Sequence, residues 1–388
     1  MSLEKLESGQ LQRIVLDGNV RVTIEAAQNE STTPIIATKN ENPPLRVGML
    51  RQNKNIWMPQ HTICAMFYTA KQFNIDLFLF SISDINFENK TINATFLEEN
   101  NKVQRVIPFP RIVDNSIFYG EDGRKLALLE NDCYLIRHSL NTTKQKVYEM
   151  LLADGRFKAF LIETHVIENF GQFLTLFEQN NKDVILKPLR GARGIGVARI
   201  TFDNDKYVVN LKNDKISLTA EEFAKFYADN FTQRIHILQE YIVSRTRQGN
   251  PFDIRVHARR GAGGKFKLTL FPRIGNAAGV VSNIASGGYS MNIGTFLKVE
   301  FGDDWRMIYD ALIKFGRVFP DYYQNFFTVP IFDIGVDVGI QKRGNVYYFK
   351  IFEVNTYIDG PFFEIEDAVT HFEYYRYIDQ RIREGLIG

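Results

Sequence analysis

Hydrophobic positions first cluster in two Ile- and Val-rich runs within residues 13–26, separated by Asp17 and Gly18. An Asp-Gly pair tolerates the positive φ of a tight turn, so this pattern predicts a β-hairpin. The segment 28–44 is mostly polar and ends in two prolines, which is typical of a loop. We therefore expect a small β unit at this end of the chain.

A different pattern begins at residue 45. The run 45–50 is apolar, 60–73 has apolar residues at helical spacing, and 75–82 is apolar throughout. Strand, helix and strand in this order predict a βαβ unit whose parallel strands are buried on both faces. Residues 90–109 then predict a second hairpin, and 110–119 a further strand. This part of the chain is expected to be α/β.

The pattern changes again near residue 141. Asn141 or Thr142 can cap a helix that Gly155 would end. Residues 183–352 consist mainly of strand-like runs joined by glycine turns. Two helical stretches interrupt these runs, at 219–231 and 304–319. The second half is therefore expected to be α+β.

Composition narrows the class of protein. The chain has 388 residues, 45% hydrophobic and 24% charged, which excludes disordered and fibrous classes. A net charge of +2 is too balanced for a protein that binds the nucleic-acid backbone. Cys64 and Cys133 cannot form a disulfide framework or a cysteine zinc site, which fits a reducing compartment. Without a membrane-length apolar run or a secretory signal, we expect a cytoplasmic protein with no membrane or nucleic-acid partner.

A glycine-rich segment follows one of the strand-like runs. Lys187 lies near the end of that run, and Gly191, Gly194 and Gly196 follow it. Glycines let backbone N–H groups approach a phosphate, and a lysine can neutralise its charge. The spacing matches neither a P-loop nor a dinucleotide-binding fingerprint. Taken alone, the segment fits a flexible β-hairpin with a solvated lysine better than it fits a phosphate site.

Three oxygen-bearing side chains lie on two strand-like runs near the end of the chain. Asp337 lies on the first run, and Glu353 and Asn355 lie two residues apart on the second, so those two share a face. Asp337 can face them across the hairpin. Carboxylate and amide oxygens suit Mg²⁺. The alternative is a pair of surface carboxylates, but both lie in strongly apolar runs, where an unpaired carboxylate is costly.

A strand-like run could end in a hinge at Glu240 and Tyr241, and such a hinge could line an adenine. Asp253 could then hold the ribose hydroxyls. Taken alone, this segment is an ordinary strand and loop.

Another glycine-rich stretch follows Arg273 and contains Asn283. So many small residues between strands favour a ligand or a covering segment, and the alternative is a mobile surface loop.

Other chemistry finds little support in the sequence. The six histidines show no metal-ligand spacing and are interpreted as structural or solvated; they are His61, His138, His165, His236, His257 and His371. No serine lies in a nucleophile elbow and no cysteine has a recognisable partner, so covalent catalysis is not indicated. The aromatic-rich segment 371–382 predicts a helix that packs on the core.

These motifs in this order resemble the ATP-grasp superfamily over residues 141–360. Within it, the chain resembles the YheC/YheD-like proteins, described as endospore-coat associated, and this resemblance extends back to about residue 45. RimK-type amino-acid ligases are related in their motifs. The resemblance implies two α+β subdomains that grip ATP over 141–388. An α/β pre-ATP-grasp domain over 45–140 and the small β unit over 1–44 would precede them.

The resemblance also implies roles for individual residues. Catalytic roles fall to Lys187 and Arg273, which would assist phosphoryl transfer. The implied ATP-binding residues are Lys144, Lys187, Gly191, Gly194, Gly196, Glu240, Tyr241, Asp253 and Asn283, and the implied Mg²⁺ ligands are Asp337, Glu353 and Asn355. Lys146 is a rival to Lys144 as the earlier phosphate lysine. The sequence after Asn355 departs from the usual family turn, which leaves the adjoining substrate wall undefined.

The implied activity is an ATP- and Mg²⁺-dependent ligase that joins a small-molecule carboxylate to an amine through an acylphosphate. Its substrate would be an amino acid, a peptide or an acidic sugar. A second hypothesis is a coat-associated protein that binds ATP with little turnover, and a third is a small-molecule kinase. The resemblance also allows a homo-oligomer and an association with spores.

Overall fold

The computed structural model describes residues 20–21, 38–39, 43–52, 60–98, 101–116, 122–138, 142–191, 194–211, 214–277, 279–282, 284, 287–356 and 364–387. Most of the hairpin predicted over 13–26 lies outside these residues, as does Asn283. No helix in the described part of the chain is both long and apolar enough to cross a membrane.

The structure is α+β. Its strands are β1 Val20–Arg21, β2 Thr38–Lys39, β3 Leu45–Leu50, β4 Ile75–Phe80, β5 Ile85–Asn86, β6 Thr91–Glu98, β7 Asn101–Pro108, β8 Ile112–Asn115, β9 Tyr134–Arg137, β10 Thr164–Ile167, β11 Asp183–Pro188, β12 Ala198–Asp203, β13 Lys206–Leu211, β14 Asp214–Leu218, β15 His236–Glu240, β16 Phe252–Arg260, β17 Phe266–Ile274, β18 Asp333–Arg343 and β19 Val346–Asn355. Its α-helices are α1 Gln60–Gln72, α2 Gly123–Glu130, α3 Lys144–Asp154, α4 Phe170–Gln179, α5 Ala220–Phe231, α6 Ile293–Phe301, α7 Trp305–Gln324 and α8 Glu364–Arg383.

The chain divides into two compact units. The first comprises Met1–Ser139, Arg260–Lys265 and Asp359–Gly388, and the second comprises Leu140–Arg259 and Phe266–Ile358. The division near residue 140 lies where the sequence pattern changes. The C-terminal helix packs in the first unit, whereas the domain that the resemblance implies over 141–388 would include it.

The first unit is built on one mixed sheet. Strands β3, β4, β8 and β9 are parallel to their neighbours in the order β4-β3-β8-β9, which confirms the predicted βαβ unit. The predicted hairpin over 90–109 is confirmed as β6 and β7, which pair antiparallel along their whole length. Helix α8 lies against this unit, where Arg376 donates to the carbonyl of Asn74 at 3.0 Å.

The second unit contains a six-stranded antiparallel sheet in the order β10-β15-β11-β12-β13-β14. Its apolar face packs on α4 and α5 through a core that includes Phe173, Phe177, Phe223 and Leu186. In β11, buried and half-buried residues alternate, so Lys187 lies on the face opposite this core.

A four-stranded sheet in the order β17-β16-β18-β19 completes the second unit. On β16, Ile254 and Val256 face a core that also holds Leu312 and Phe319 of α7. The intervening residues of β16 are polar and face the other side, which is the side that carries the candidate site.

The start of α3 differs from the prediction. Thr143, rather than Asn141 or Thr142, caps the helix by accepting a hydrogen bond from the Lys146 backbone N–H at 3.2 Å. Asn and Thr are both favourable N-cap residues, so the sequence alone does not distinguish Asn141, Thr142 and Thr143. Gly155 ends the helix with φ 82°, as predicted.

Candidate functional site

The candidate site lies on the polar face of the four-stranded sheet. On β16, Asp253 and Arg255 are two residues apart and so project to the same face. Arg255 lies directly opposite Asp337 of β18, and Asp337 lies directly opposite Glu353 of β19. Residues opposite each other in adjacent strands share a face, so three strands deliver their charged side chains to one surface.

A β-bulge determines which face Glu353 occupies. Between the hairpin turn and Val338, β18 and β19 keep one register, in which Val338 pairs with Ile351. At the next step Asp337 pairs with Glu353, so Phe352 is an extra residue on β19. If the register stayed constant past Val338, Phe352 would pair with Asp337, and Glu353 would lie opposite Val336 and project to the core face. The bulge therefore brings the two predicted metal-binding carboxylates together.

Asp337 is buried and held by two arginines. Arg255 binds it through both Nε and Nη2, with Nη2 donating to Oδ2 at 3.1 Å. Arg273 Nη2 lies 2.7 Å from the same Oδ2, and Asn355 Nδ2 donates to it at 3.5 Å. The amide of Asn355 is thus within reach of Asp337, as the predicted ligand set requires.

Arg273 is shared between two carboxylates. Its Nε and Nη2 donate to Oδ1 and Oδ2 of Asp253, each at 2.7 Å. Ser282 also donates to Asp253 Oδ2. Because Asp253 is 2% exposed and both its oxygens have these partners, the arrangement favours a role in holding Arg273. The predicted contact of Asp253 with ribose stays a prediction.

The buried charges shift one another's pKa. Burial alone would raise the pKa of Asp337, but Arg255 and Arg273 hold it below its ordinary value. Burial raises the pKa of Asp253, and Arg273 opposes that rise. Burial alone would lower the pKa of Arg273, but Asp253 and Asp337 raise it. Asp337 is therefore an anion at neutral pH, as a metal ligand must be.

Lys187 reaches this surface from β11. Its Nζ donates at 3.1 Å to the backbone carbonyl of Phe352, the extra residue of the bulge. Burial lowers the pKa of Lys187 to about 8, although the negative charge of Glu353 opposes the shift. Lys187 is therefore a cation at neutral pH that a modest rise in pH neutralises.

Lys144, at the first turn of α3, reaches the same surface. Its Nζ lies 3.2 Å from Glu353 Oε1 and donates to the carbonyl of Gly191 at 2.7 Å. Lys146 is exposed, and its backbone N–H donates to the hydroxyl of Thr143, which caps α3. The geometry thus favours Lys144 over Lys146 as the earlier phosphate lysine.

The glycine loop between β11 and β12 needs its glycines. Gly194 and Gly196 have φ 68° and 78°, which side chains rarely adopt. A Cβ on Gly196 would lie 2.9 Å from Cγ of Pro188, and one on Gly194 would lie 3.1 Å from Val281. The loop backbone is therefore closely packed at the points where the sequence predicts phosphate contact.

The two residues predicted to line the adenine lie at the end of β15. Oε2 of Glu240 is 3.9 Å from Nη2 of Arg343. The ring of Tyr241 has the guanidinium carbon of Arg199 3.6 Å from its centroid, and its hydroxyl accepts from Arg245 Nε at 2.8 Å. Tyr241 is thus fixed in place, and its contact with adenine stays a prediction.

Together these residues form what we term the ion-pair cluster. Its members are Lys144, Lys187, Asp253, Arg255, Arg273, Asp337 and Glu353. Four cations and three carboxylates leave one surplus positive charge, which favours a polyanion. The oxygens of Asp337, Glu353 and Asn355 are of the kind that Mg²⁺ takes. The surplus charge opposes a bare cation, so the residues fit Mg²⁺ that arrives with a phosphate chain.

Arg255 is a residue of the site that the sequence pattern did not predict. Its partner Asp337 is 82 residues away, and only the pairing of β16 with β18 joins them. The strict alternation of polar and apolar residues in β16 is the signal that could have identified it.

Known proteins are similar to this chain. The family described as YheC/D like ATP-grasp matches residues 134–378. The endospore coat-associated protein YheD of Bacillus subtilis (strain 168) is 24% identical over 305 residues, which is 70% of this chain and 63% of YheD. The endospore coat-associated protein YheC of the same organism is 20% identical over 296 residues, 73% of this chain and 81% of YheC. The crystal structure of D-cycloserine synthetase DcsG is similar with a TM-score of 0.49 at 13% identity, and the match covers 87% of this chain and 99% of DcsG. At 63% coverage of YheD, this chain spans less than two thirds of the length of that protein.

Proposed function

Because the chain belongs to the YheC/D-like ATP-grasp family, we propose that it is an ATP- and Mg²⁺-dependent ligase that joins a carboxylate to an amine. The observation that carries this proposal is the ion-pair cluster. In it, residues from α3, β11 and four strands of a second sheet surround two opposed carboxylates with an excess of cations.

The cations of the cluster would bind the phosphate chain of ATP. Lys144 and Lys187 each have one ammonium group that now contacts Glu353 or a backbone carbonyl, and phosphate oxygens are stronger acceptors for both. The backbone of the loop that contains Gly194 and Gly196 would add N–H donors. Glu240 and Tyr241 would lie beside the adenine.

Asp337, Glu353 and Asn355 would hold Mg²⁺, which supplies charge neutralisation at the phosphates when bound. Residues of the chain would then assist the transfer of the phosphoryl group. Arg273, held in one orientation by Asp253, would stabilise the charge that develops on the transferred phosphoryl group. Lys187 would assist it from the opposite sheet.

The proposed reaction proceeds in two steps. An oxygen of the substrate carboxylate attacks the γ-phosphorus of ATP, the bond to the β,γ-bridging oxygen breaks, and ADP leaves with its electron pair. The amine nitrogen then attacks the carbonyl carbon of the acylphosphate, inorganic phosphate leaves, and the nitrogen loses a proton. No nucleophile of the protein is needed. The substrates would be an amino acid, a peptide or an acidic sugar together with an amine.

Mass spectrometry can test this proposal. The chain is incubated with ATP, Mg²⁺ and pooled amino acids and sugar acids, and the products are searched for new amides while ADP is measured. We expect ADP to form only when both a carboxylate and an amine are present. Glu353→Gln should lower kcat by roughly 10²–10³-fold, the usual effect of losing one preorganised electrostatic group. Glu163→Gln, which alters a largely exposed side chain, is the matched control and should leave turnover unchanged.

Turnover that survives Glu353→Gln would refute the assignment of this site. A stable phosphorylated product formed without an amine would instead identify a kinase.

A second candidate function is that of a coat-associated protein that binds ATP with little turnover. It is favoured by the names of the relatives YheD and YheC, both endospore coat-associated proteins, and by the altered sequence that follows Asn355. Tight ATP binding without ADP formation across the substrate pool would support this function over the ligase. A cytoplasmic or spore-associated location and a homo-oligomeric state stay predictions.

A further inference from the structure

A second cluster of buried polar residues lies in the first unit, at the carboxyl ends of three neighbouring parallel strands. Arg51 directly follows β3, Asp114 is the third residue of β8, and His138 directly follows β9. Open α/β sheets place their ligand sites at this edge. The three residues are 4%, 0% and 5% exposed, so the cluster is closed to bulk solvent.

The carboxylate of Asp114 is at the centre of the cluster. Arg51 Nη1 donates to Oδ1 at 2.8 Å, and Tyr375 of α8 donates its hydroxyl to Oδ2 at 2.6 Å. His138 Nε2 lies 2.9 Å from the same Oδ2. These three contacts fix the carboxylate in orientation.

Helix α8 contributes a second histidine. His371 is buried, and its ring is stacked with that of His138 at 6.1 Å between centroids and 27° between planes. Its Nδ1 lies 2.7 Å from the carbonyl oxygen of Asp367, one turn earlier in the helix. This contact assigns the proton to Nδ1 and makes Nε2 the nitrogen that a metal would take. One nitrogen of each histidine and an oxygen of Asp114 lie within 4.8 Å of one another.

From this geometry we propose that Asp114, His138 and His371 form a binding site for a divalent transition metal of the Zn²⁺ class. Two imidazoles and one carboxylate are ligands that Zn²⁺ and Fe²⁺ accept, whereas Mg²⁺ and Ca²⁺ prefer oxygen alone. The outer contacts are also those of metal sites. A backbone carbonyl orients one histidine, and Arg51 and Tyr375 orient the carboxylate.

The charge of Arg51 sets the expected strength of binding. The guanidinium already balances Asp114, so a divalent ion adds two positive charges to a buried site. We therefore expect weaker binding than in a closed structural zinc site. Three protein ligands also leave a coordination position for water or an anion. The ion would link the strand ends of the sheet to α8, which are more than 200 residues apart in the chain.

The test is metal binding by the full, untagged chain after treatment with EDTA, in the absence of nucleotide. Zn²⁺ is titrated by calorimetry, and Co²⁺ is titrated by visible absorption, whose ligand-field bands report nitrogen and oxygen ligands directly. We expect one equivalent of each metal to bind. His371→Gln and His138→Gln should each weaken binding by at least 100-fold, since even outer contacts are worth 10–100-fold. His165→Gln, at a half-exposed histidine of the second unit, is the matched control and should change nothing.

Failure of the wild-type chain to bind either metal at one equivalent overturns the proposal whether or not the variants fold. Equal weakening by His165→Gln and His371→Gln also overturns it, because binding would then be at the surface. The readout does not involve ATP, so this result and the outcome of the ligase assay are independent.

Discussion

The lowered pKa of Lys187 makes a quantitative prediction about ATP binding. Burial lowers this pKa to about 8, so the free protein has a charged Lys187 at pH 7 and a mostly neutral one at pH 9. Only the charged form attracts phosphate. Affinity for ATP should therefore fall as the pH rises through 8.

The size of the effect follows from the linkage of one proton. At one pH unit above the pKa only about one lysine in eleven is charged, so Kd should be about tenfold higher at pH 9 than at pH 7. The increase in Kd cannot exceed the binding free energy that the charged hydrogen bond contributes. That free energy is about 1.5–3 kcal/mol, or roughly ten- to 150-fold in Kd. Lys187→Met removes the charge at every pH, so its Kd should be raised by that factor at pH 7 and should not change with pH.

The assay is calorimetric titration with a non-hydrolysable ATP analogue and Mg²⁺ between pH 7 and 9.5, where phosphate groups with a pKa of about 6 are mostly or fully ionised. Lys215→Met is the control, because Lys215 is an exposed residue on β14 of the same sheet. It should retain the wild-type pH dependence. A wild-type Kd that is flat to pH 9.5, or a Lys187→Met variant that keeps the slope, would refute the phosphate role of Lys187.

Two further predictions concern stability and the nucleotide loop. Asp337→Asn and Asp333→Asn each remove a buried carboxylate from β18 that has two basic side chains as partners, so each should lower the free energy of unfolding by about 3–5 kcal/mol in urea titrations. Only Asp337→Asn should also abolish nucleotide-dependent Mg²⁺ binding, and equal loss in both variants would contradict the metal assignment. Gly196→Ala places a Cβ 2.9 Å from Pro188 at a φ of 78°, so it should lower the free energy of unfolding by more than about 1 kcal/mol. It should also weaken ATP binding in the same calorimetric assay. Unchanged affinity in a folded Gly196→Ala variant would argue against contact between this loop and phosphate.

The sequence predicts well the features that depend on nearby residues. The βαβ unit and the β6–β7 hairpin follow from local periodicity, and both are present. The positions of Asp337 and Glu353 on adjacent strands also follow from a short hairpin. These elements need no knowledge of the rest of the chain.

Features that depend on distant pairing were not predicted. Arg255 acquires its role from Asp337, and His371 acquires its neighbours from the return of α8 to the first unit. The histidines show no spacing in sequence because their elements meet only in the folded chain. Asp253 illustrates a different limit, since its residue type suits ribose as well as it suits the guanidinium of Arg273.

The extra residue Phe352 ties the site to the length of β19. Because side chains alternate across a strand, insertion of one more residue between the hairpin turn and Glu353, with the bulge kept, would turn Glu353 and Asn355 to the core face. Deletion of Phe352 would instead give a regular ladder that still pairs Glu353 with Asp337 but lacks the carbonyl that Lys187 Nζ contacts. Natural variants of this chain should therefore tolerate substitutions on β19 far better than insertions, which would leave a foldable hairpin without the predicted ligand set.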